Sequence, residues 1–250
     1  MAHYKTIFIS DIHLGARASQ DKALLKFLKE NSCDKLYLVG DVFDGWQLIR
    51  KSYWPETHSD IIYEILDKAN KGMELFYILG NHDDFLRRYL PFLQSYNLAK
   101  IANNFEFVSQ NGKKFFITHG DLEFDKKAMD RAWLARHGDW WYMTLLRLNV
   151  PINYVRRLMG HEDYWSIAKF AKQSVKKLIM RKTDYFKVVK EYAKEHGYDG
   201  MVTGHIHKAQ IKDLDGVTYI NCGDWVESNT AIVERQDGEF ELLIIEKELS

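Results

Sequence analysis

Five clusters of oxygen and imidazole donors punctuate the chain, each directly after a short apolar run: Asp11-Ile12-His13, Gly40-Asp41, Gly80-Asn81-His82-Asp83, His119-Gly120-Asp121 and Gly204-His205-Ile206-His207. Asp11 and His13 stand two apart on what reads as extended chain, so they point to one side, and His205 and His207 do the same. Glycines before Asp41, Asn81 and His205 permit sharp turns and close backbone approach. The side chains able to ligate are then Asp11, His13, Asp41, Asn81, His119, His205 and His207. Four imidazoles, two carboxylates and one amide oxygen exceed what one tetrahedral zinc accepts, and they suit two ions sharing a carboxylate. With no thiolate among the donors, Mn²⁺, Fe or Zn²⁺ fit, and Mn²⁺ is taken first; affinity order alone does not choose among them.

Each cluster also has an ordinary explanation. A lone Asp at a strand end caps a turn, a lone His sits on the surface or is satisfied in a core, and Gly-Asn marks a turn. Five such clusters at the same place relative to an apolar run are what a convergent site requires. For Asp44, Asp121 and Asp224 the expected role is a hydrogen bond to a ligand histidine rather than coordination. His3, His58, His137, His161 and His196 have no partner at ligand spacing. His58 is expected at a helix start and Cys222 as a small buried apolar residue.

The runs that must carry these donors alternate with helical patterns. Residues 4–10, 36–39, 75–79, 115–118 and 201–203 read as strands, and residues 21–31 as a helix with Leu24, Leu25 and Leu28 inward. Thr57-His58-Ser59-Asp60 fits a capping box opening a helix through Asn70. Three further strands are expected at 218–221, 231–234 and 240–245. Strands alternating with helices, then a strand-rich end, predict an α/β sandwich with helices outside two sheets. If the strands are neighbours, their carboxyl ends deliver the five clusters to one crevice.

Residues 123–196 break this rhythm, with helical patterns and no clear strand, and they read as a helical insertion too long for a structureless loop. Over residues 126–182 there are 13 Lys/Arg against four Asp/Glu, a balance of +9 in a chain of zero net charge. Trp133, Trp140, Trp141 and Trp165 lie in the same stretch, which suits an anionic, partly apolar partner. Ile167, Ala171, Val175 and Leu178 form an apolar helical stripe beside Lys169, Lys172, Gln173 and Lys176, which can reach phosphate or nucleotide oxygens. Trp140 and Trp141 fit an interfacial anchor. The ordinary alternative is an amphipathic helix with a solvated Lys face. No run approaches the ~18 apolar residues of a spanning helix, and residues 1–10 do not read as a signal peptide. Cys33 and Cys222 lie far apart, outside any Cys-x-x-Cys pattern, which speaks for a reducing cytoplasm.

Taken in order as D-x-H, G-D, G-N-H-D, H-G-D and G-H-x-H, the clusters resemble the signature of the calcineurin-like metallophosphoesterase superfamily. The resemblance covers residues 4–221, the insertion excepted. It implies a four-layer α-β-β-α sandwich with a helical lid at 123–196, and Asp41 bridging two metals. Asp11, His13 and His207 would complete one metal, Asn81, His119 and His205 the other. Such a pair lowers the pKa of a water between them and supplies the nucleophile for attack on phosphorus. His82 would protonate the leaving group or stabilise the oxyanion, with Asp83 holding its tautomer.

Gly40-Asp41-Val42-Phe43-Asp44-Gly45-Trp46, with the basic insertion, is similar to the UDP-2,3-diacylglucosamine diphosphatase branch. That branch hydrolyses a nucleotide-linked diacyl sugar in lipid A synthesis, giving UMP and a diacylated sugar phosphate, under a lid that rests on the inner membrane surface. The implied substrate contacts are Asn81, His82, Asp125, Lys169, Gln173 and Lys176, and the implied place is the cytoplasmic face of that membrane. Well-known members carry Arg where this chain has His82, the general superfamily residue, which leaves another phosphomonoester, phosphodiester or nucleotide as substrate. A DNA nuclease is a weaker rival, since no second domain or stacking platform is visible and no nucleic acid partner is expected. A non-catalytic scaffold would be expected to have lost ligands, and none is missing here.

Overall fold

The computed structural model describes residues 2–95, 98–121 and 184–246. The chain divides into two units, Met1–Asp121 with Lys190–Ser250, and Leu122–Val189. Along the described residues run β1 (Ala2–Ile9), α1 (Asp21–Glu30), β2 (Asn31–Val39), α2 (Gly45–Lys51), α3 (Glu56–Asn70), β3 (Glu74–Ile78), α4 (Asp84–Arg87) and α5 (Leu90–Leu93). They continue with β4 (Lys100–Ala102), β5 (Asn104–Val108), β6 (Lys114–Thr118), α6 (Asp184–His196), β7 (Gly200–Thr203), β8 (Gln210–Asp213), β9 (Thr218–Asn221), β10 (Thr230–Glu234) and β11 (Phe240–Ile244).

The strands form two mixed sheets, ordered β11-β10-β1-β2-β3-β4 and β5-β6-β7-β9-β8. In the first, β1 to β4 are parallel, in register Ile9 opposite Leu38 and Val39 opposite Ile78. In the second, β6, β7 and β9 are parallel. Antiparallel strands close three of the four edges, β11 and β5 and β8.

The period of two along each strand builds the layers. Phe8, Tyr37, Val39, Phe76 and Ile78 face inward and pack on Phe107, Phe115, Ile117, Val202 and Ile220 of the second sheet. The alternate residues Ile7, Ile9, Leu36, Leu38, Leu75 and Tyr77 face outward and pack under Leu24, Phe27 and Leu28 of α1 and Ile61 and Ile65 of α3. Central parallel strands buried on both faces read as unbroken apolar runs, which is why they were legible. On the other side Tyr192 of α6 packs its ring 5.3 Å from that of Phe116. Helix, sheet, sheet, helix is the resulting α/β order.

Two differences from expectation have plain causes. The third helix begins at Glu56 behind Pro55, with no side-chain cap, so the capping box at Thr57 does not form. The fixed φ of Pro55, −70°, already leads into the helix, and its carbonyl accepts from the His58 N–H at 3.1 Å. Strands β4, β5 and β8 were not expected. They are short, all three lie at sheet edges, and β8 is largely exposed, so burial writes little periodicity into them.

Candidate metal centre

All five donor clusters follow the carboxyl ends of parallel strands: Asp11 and His13 after β1, Asp41 after β2, Asn81 after β3, His119 after β6, His205 and His207 after β7. Strand β1 leads to Asp11, whose N–H donates to the Gly40 carbonyl at 3.0 Å, while His13 N–H donates to the Asp41 carbonyl at 3.0 Å. Across the sheets, Gly204 N–H donates to the His119 carbonyl at 3.2 Å. Asp11, His13, Asp41, His205 and His207 all sit at positive φ, from 52° to 67°. That left-handed backbone is strained for residues with a Cβ and gathers where the surrounding structure enforces a function.

The glycines answer a second need. A Cβ on Gly40 would strike the His119 ring, one on Gly80 the Asp41 carboxylate, and one on Gly204 an Asp11 oxygen. Each leaves room for a donor arriving from a different segment.

The side chains fall into two groups about Asp41 and Asp11. Donor atoms of Asp11, His13 and His207 lie within 4.8 Å of one another, as do those of Asp41, His119 and His205. His207 Nε2 stands 3.1 Å from Asp11 Oδ1, His119 Nε2 3.3 Å from Asp41 Oδ2, and His13 Nε2 3.9 Å from that same oxygen. The His119 and His205 rings lie 5.1 Å apart, those of His13 and His207 5.5 Å. Asp41 therefore faces both groups.

Among the expected ligands, four atoms are buried without a hydrogen-bond partner: Asp11 Oδ1, His13 Nε2, Asn81 Oδ1 and His119 Nε2. Orphaned buried acceptors are costly unless something else binds them. His119 Nδ1–H donates to the Val39 carbonyl at 2.9 Å, which turns Nε2 toward the site. Burial works against charge on His119, but the Asp41 carboxylate outweighs it and carries its pKa up to about 10. Burial would likewise raise Asp41, yet His119 and His13 hold it below the usual carboxylate range. The pocket thus favours positive charge at its centre, and its oxygen and nitrogen donors fit divalent cations.

His82 lies at the rim, its ring 3.9 Å from that of Trp46 and 4.6 Å from that of His13. Asp44, not Asp83, partners it, with Asp44 Oδ1 at 3.2 Å from Nδ1. Asp83 is buried and accepts from the N–H groups of Phe43 at 2.9 Å and of Val42 and Gly80 at 3.2 Å, so it folds the loop instead. Asp44 also stands 3.6 Å from His13 Nδ1 and caps α2 through the Gln47 N–H. Among the described residues the partner found for Asp121 is Arg87, at 3.0 Å, rather than the expected histidine. Asp224 is 4.0 Å from His207 Nδ1 and spends its oxygens on Val226, Glu227 and Ser228. His58 is at the helix start, buried, with Nδ1 accepting from the Gly15 N–H at 3.1 Å. His3 and His196 lie away from the site, on Ser32 and Asp34 and on the Tyr192 carbonyl. Cys222 is buried in the core between the sheets. Asp125, Lys169, Lys172, Gln173, Lys176, the stripe Ile167 to Leu178, His137, His161 and the four tryptophans from Trp133 to Trp165 lie outside the described residues. Sequence reasoning missed Arg87, for which spacing gave no signal, and Trp46 as the ring against His82.

Several known proteins are similar to this chain. UDP-2,3-diacylglucosamine hydrolase of Haemophilus influenzae (strain PittGG) is 26% identical over 93% of this chain and 96% of its own length. The protein of the same name from Neisseria meningitidis serogroup B (strain MC58) is 28% identical over 93% and 94%. Among solved structures, a dimetal phosphatase from Danio rerio aligns with a TM-score of 0.48 at 13% identity, over 98% of this chain and 96% of that one. Residues 4–209 match the family model for calcineurin-like phosphoesterases. The chain belongs to the calcineurin-like phosphoesterase family and is a metal-dependent hydrolase.

Proposed function

We propose that the protein hydrolyses the pyrophosphate of UDP-2,3-diacylglucosamine, releasing UMP and 2,3-diacylglucosamine 1-phosphate. The observation that carries this is the pair of donor groups meeting at Asp41, joined to the name borne by relatives that align along 93% of the chain. Asp11, His13, Asp41 and His207 are assigned to one cation and Asp41, Asn81, His119 and His205 to the other, with Mn²⁺ the first choice. Bound there, two cations supply Lewis acidity toward the phosphoryl oxygens and lower the pKa of the attacking water. The chain's own part is to hold the phosphoryl group beside the His82 imidazole, which lies at the rim and is 20% exposed. Burial lowers its pKa, and Asp44 beside Nδ1 leaves Nε2 as the nitrogen for substrate; in the protonated ring Nε2–H donates to the leaving oxygen. Water adds its oxygen to phosphorus and gives up a proton, the P–O–P bridge opens, and the departing phosphate oxygen carries a negative charge that protonated His82 offsets by donating from Nε2–H.

Residues 123–196 are assigned to a lid over the acyl chains, with Asp125, Lys169, Gln173 and Lys176 toward the polar part of the substrate. Its basic, Trp-rich composition suits peripheral contact with an anionic membrane, on the cytoplasmic side. Among the described residues no helix is long and apolar enough to cross a membrane. His82 in place of the branch's Arg favours a second possibility, a different phosphoester. The deciding experiment incubates the Mn²⁺-loaded protein with UDP-2,3-diacylglucosamine and, separately, with bis(p-nitrophenyl) phosphate and cyclic AMP, followed by mass spectrometry. UMP with a diacyl sugar phosphate is expected; turnover of the small diesters alone overturns the substrate and leaves the metal site standing.

A further inference from the structure

Arg87 occupies the seam between the two sheets. Its Nη2 donates to the Leu79 carbonyl at 3.1 Å and to Asp121 Oδ2 at 3.0 Å. Its Nε donates to Asn103 Oδ1 at 3.2 Å and its Nη1 to Asp84 Oδ1 at 2.9 Å. Leu79 follows β3 of the first sheet, two residues before Asn81, and Asp121 follows β6 of the second, two residues after His119. Asn103 is the residue at which the chain crosses from β4 of one sheet to β5 of the other. A single guanidinium therefore ties the sheets together where each hands over one donor. Those donors, Asn81 Oδ1 and His119 Nε2, carry no hydrogen bond of their own. His119 is oriented by its Nδ1 bond to the Val39 carbonyl, and Arg87 adds a tie between the two backbones that carry these donors. The ion pair is also sheltered, with Arg87 19% and Asp121 11% exposed, unlike the surface pairs that contribute little.

We propose that Arg87 is a positioning residue for the cation held by Asn81, His119 and His205, acting through Leu79 and Asp121 without touching substrate. The inference rests on the two-cation reading of the site. A planar fork is required, because Leu79, Asp121, Asn103 and Asp84 are met at once from one rigid group, which an ammonium cannot copy.

The test is a calorimetric Mn²⁺ titration of the EDTA-treated full chain, comparing the parent with Arg87→Gln, Arg87→Lys and Asp121→Asn. Two binding steps are expected in the parent. One step should weaken about 10- to 100-fold in Arg87→Gln and Asp121→Asn, as for lost outer partners of metal ligands, with Arg87→Lys in between. The other step should hold. Both steps unchanged in the variants would overturn the proposal, even if their melting temperature falls, since a simple brace lowers stability and leaves the steps alone. Should Arg87→Gln fail to fold, Asp121→Asn decides, because it leaves the bonds to Leu79, Asn103 and Asp84 in place. A parent that takes up no Mn²⁺, or a single ion, overturns the two-cation reading and the proposal with it, before any variant is compared.

Discussion

At His82 the imidazole is held between the Trp46 ring and the edge of His13, with Asp44 on one nitrogen. The one bond from residue 82 to Asp41 is its backbone N–H, at 2.8 Å to Oδ1, which a substitution keeps. His82→Gln should therefore lower kcat about 10²- to 10⁴-fold while Mn²⁺ content stays at the parent value. Loss of an ion instead would move His82 among the ligands, a role its proximity to His13 and Asp41 also permits. His58 makes a different prediction, for stability. Burial lowers its pKa below that of the unfolded chain, and Nδ1 must stay unprotonated to accept from Gly15. Between the folded and unfolded values the unfolded chain binds more protons, so stability is complete above about pH 6.5 and falls as pH drops through that window. Urea unfolding from pH 7.5 to 5 should show that slope, and His58→Gln should flatten it. A slope of equal size in the variant removes His58 as its source.

Among the elements, the loops after the parallel strands depend on glycine for space. Gly204 is the cleanest case: its φ lies outside the left-handed region, yet a Cβ would meet Asp11 Oδ2 at 2.6 Å and the Ser10 side chain at 2.8 Å. Gly204→Ala should destabilise the fold by about 1–3 kcal/mol, the usual range for overpacking, and weaken Mn²⁺ binding through Asp11. Urea unfolding and metal analysis check it, and an unchanged metal content would mean that Asp11 moves aside freely. The same loops explain what could be read beforehand. Runs such as Leu75 to Leu79 or Phe115 to Thr118 are buried on both faces and announce themselves. Edge strands β5 and β8 and the short helices α4 and α5 are half exposed and do not.

For the molecule as a whole, the site concentrates buried carboxylates and unpartnered polar atoms that bound cations would satisfy, so metal binding should raise stability. At about 100 times Kd, each ion adds about 2.7 kcal/mol, or roughly 5 kcal/mol for two. For a chain of this size that corresponds to a rise of roughly 10–20 °C in Tm. Differential scanning calorimetry with Mn²⁺ and then EDTA tests this, and a Tm indifferent to chelation would count against a cation at the site. The sequence by itself determined the α/β sandwich and which polar side chains stand beyond its strand ends, because strand burial writes apolar runs and each cluster sits at a fixed step after one. Tertiary structure alone decided the partners: Asp44 rather than Asp83 beside His82, Arg87 against Asp121, His58 under Gly15. Those contacts join segments from 34 to 43 residues apart. No local spacing encodes them, since they depend on which loops two packed sheets bring side by side.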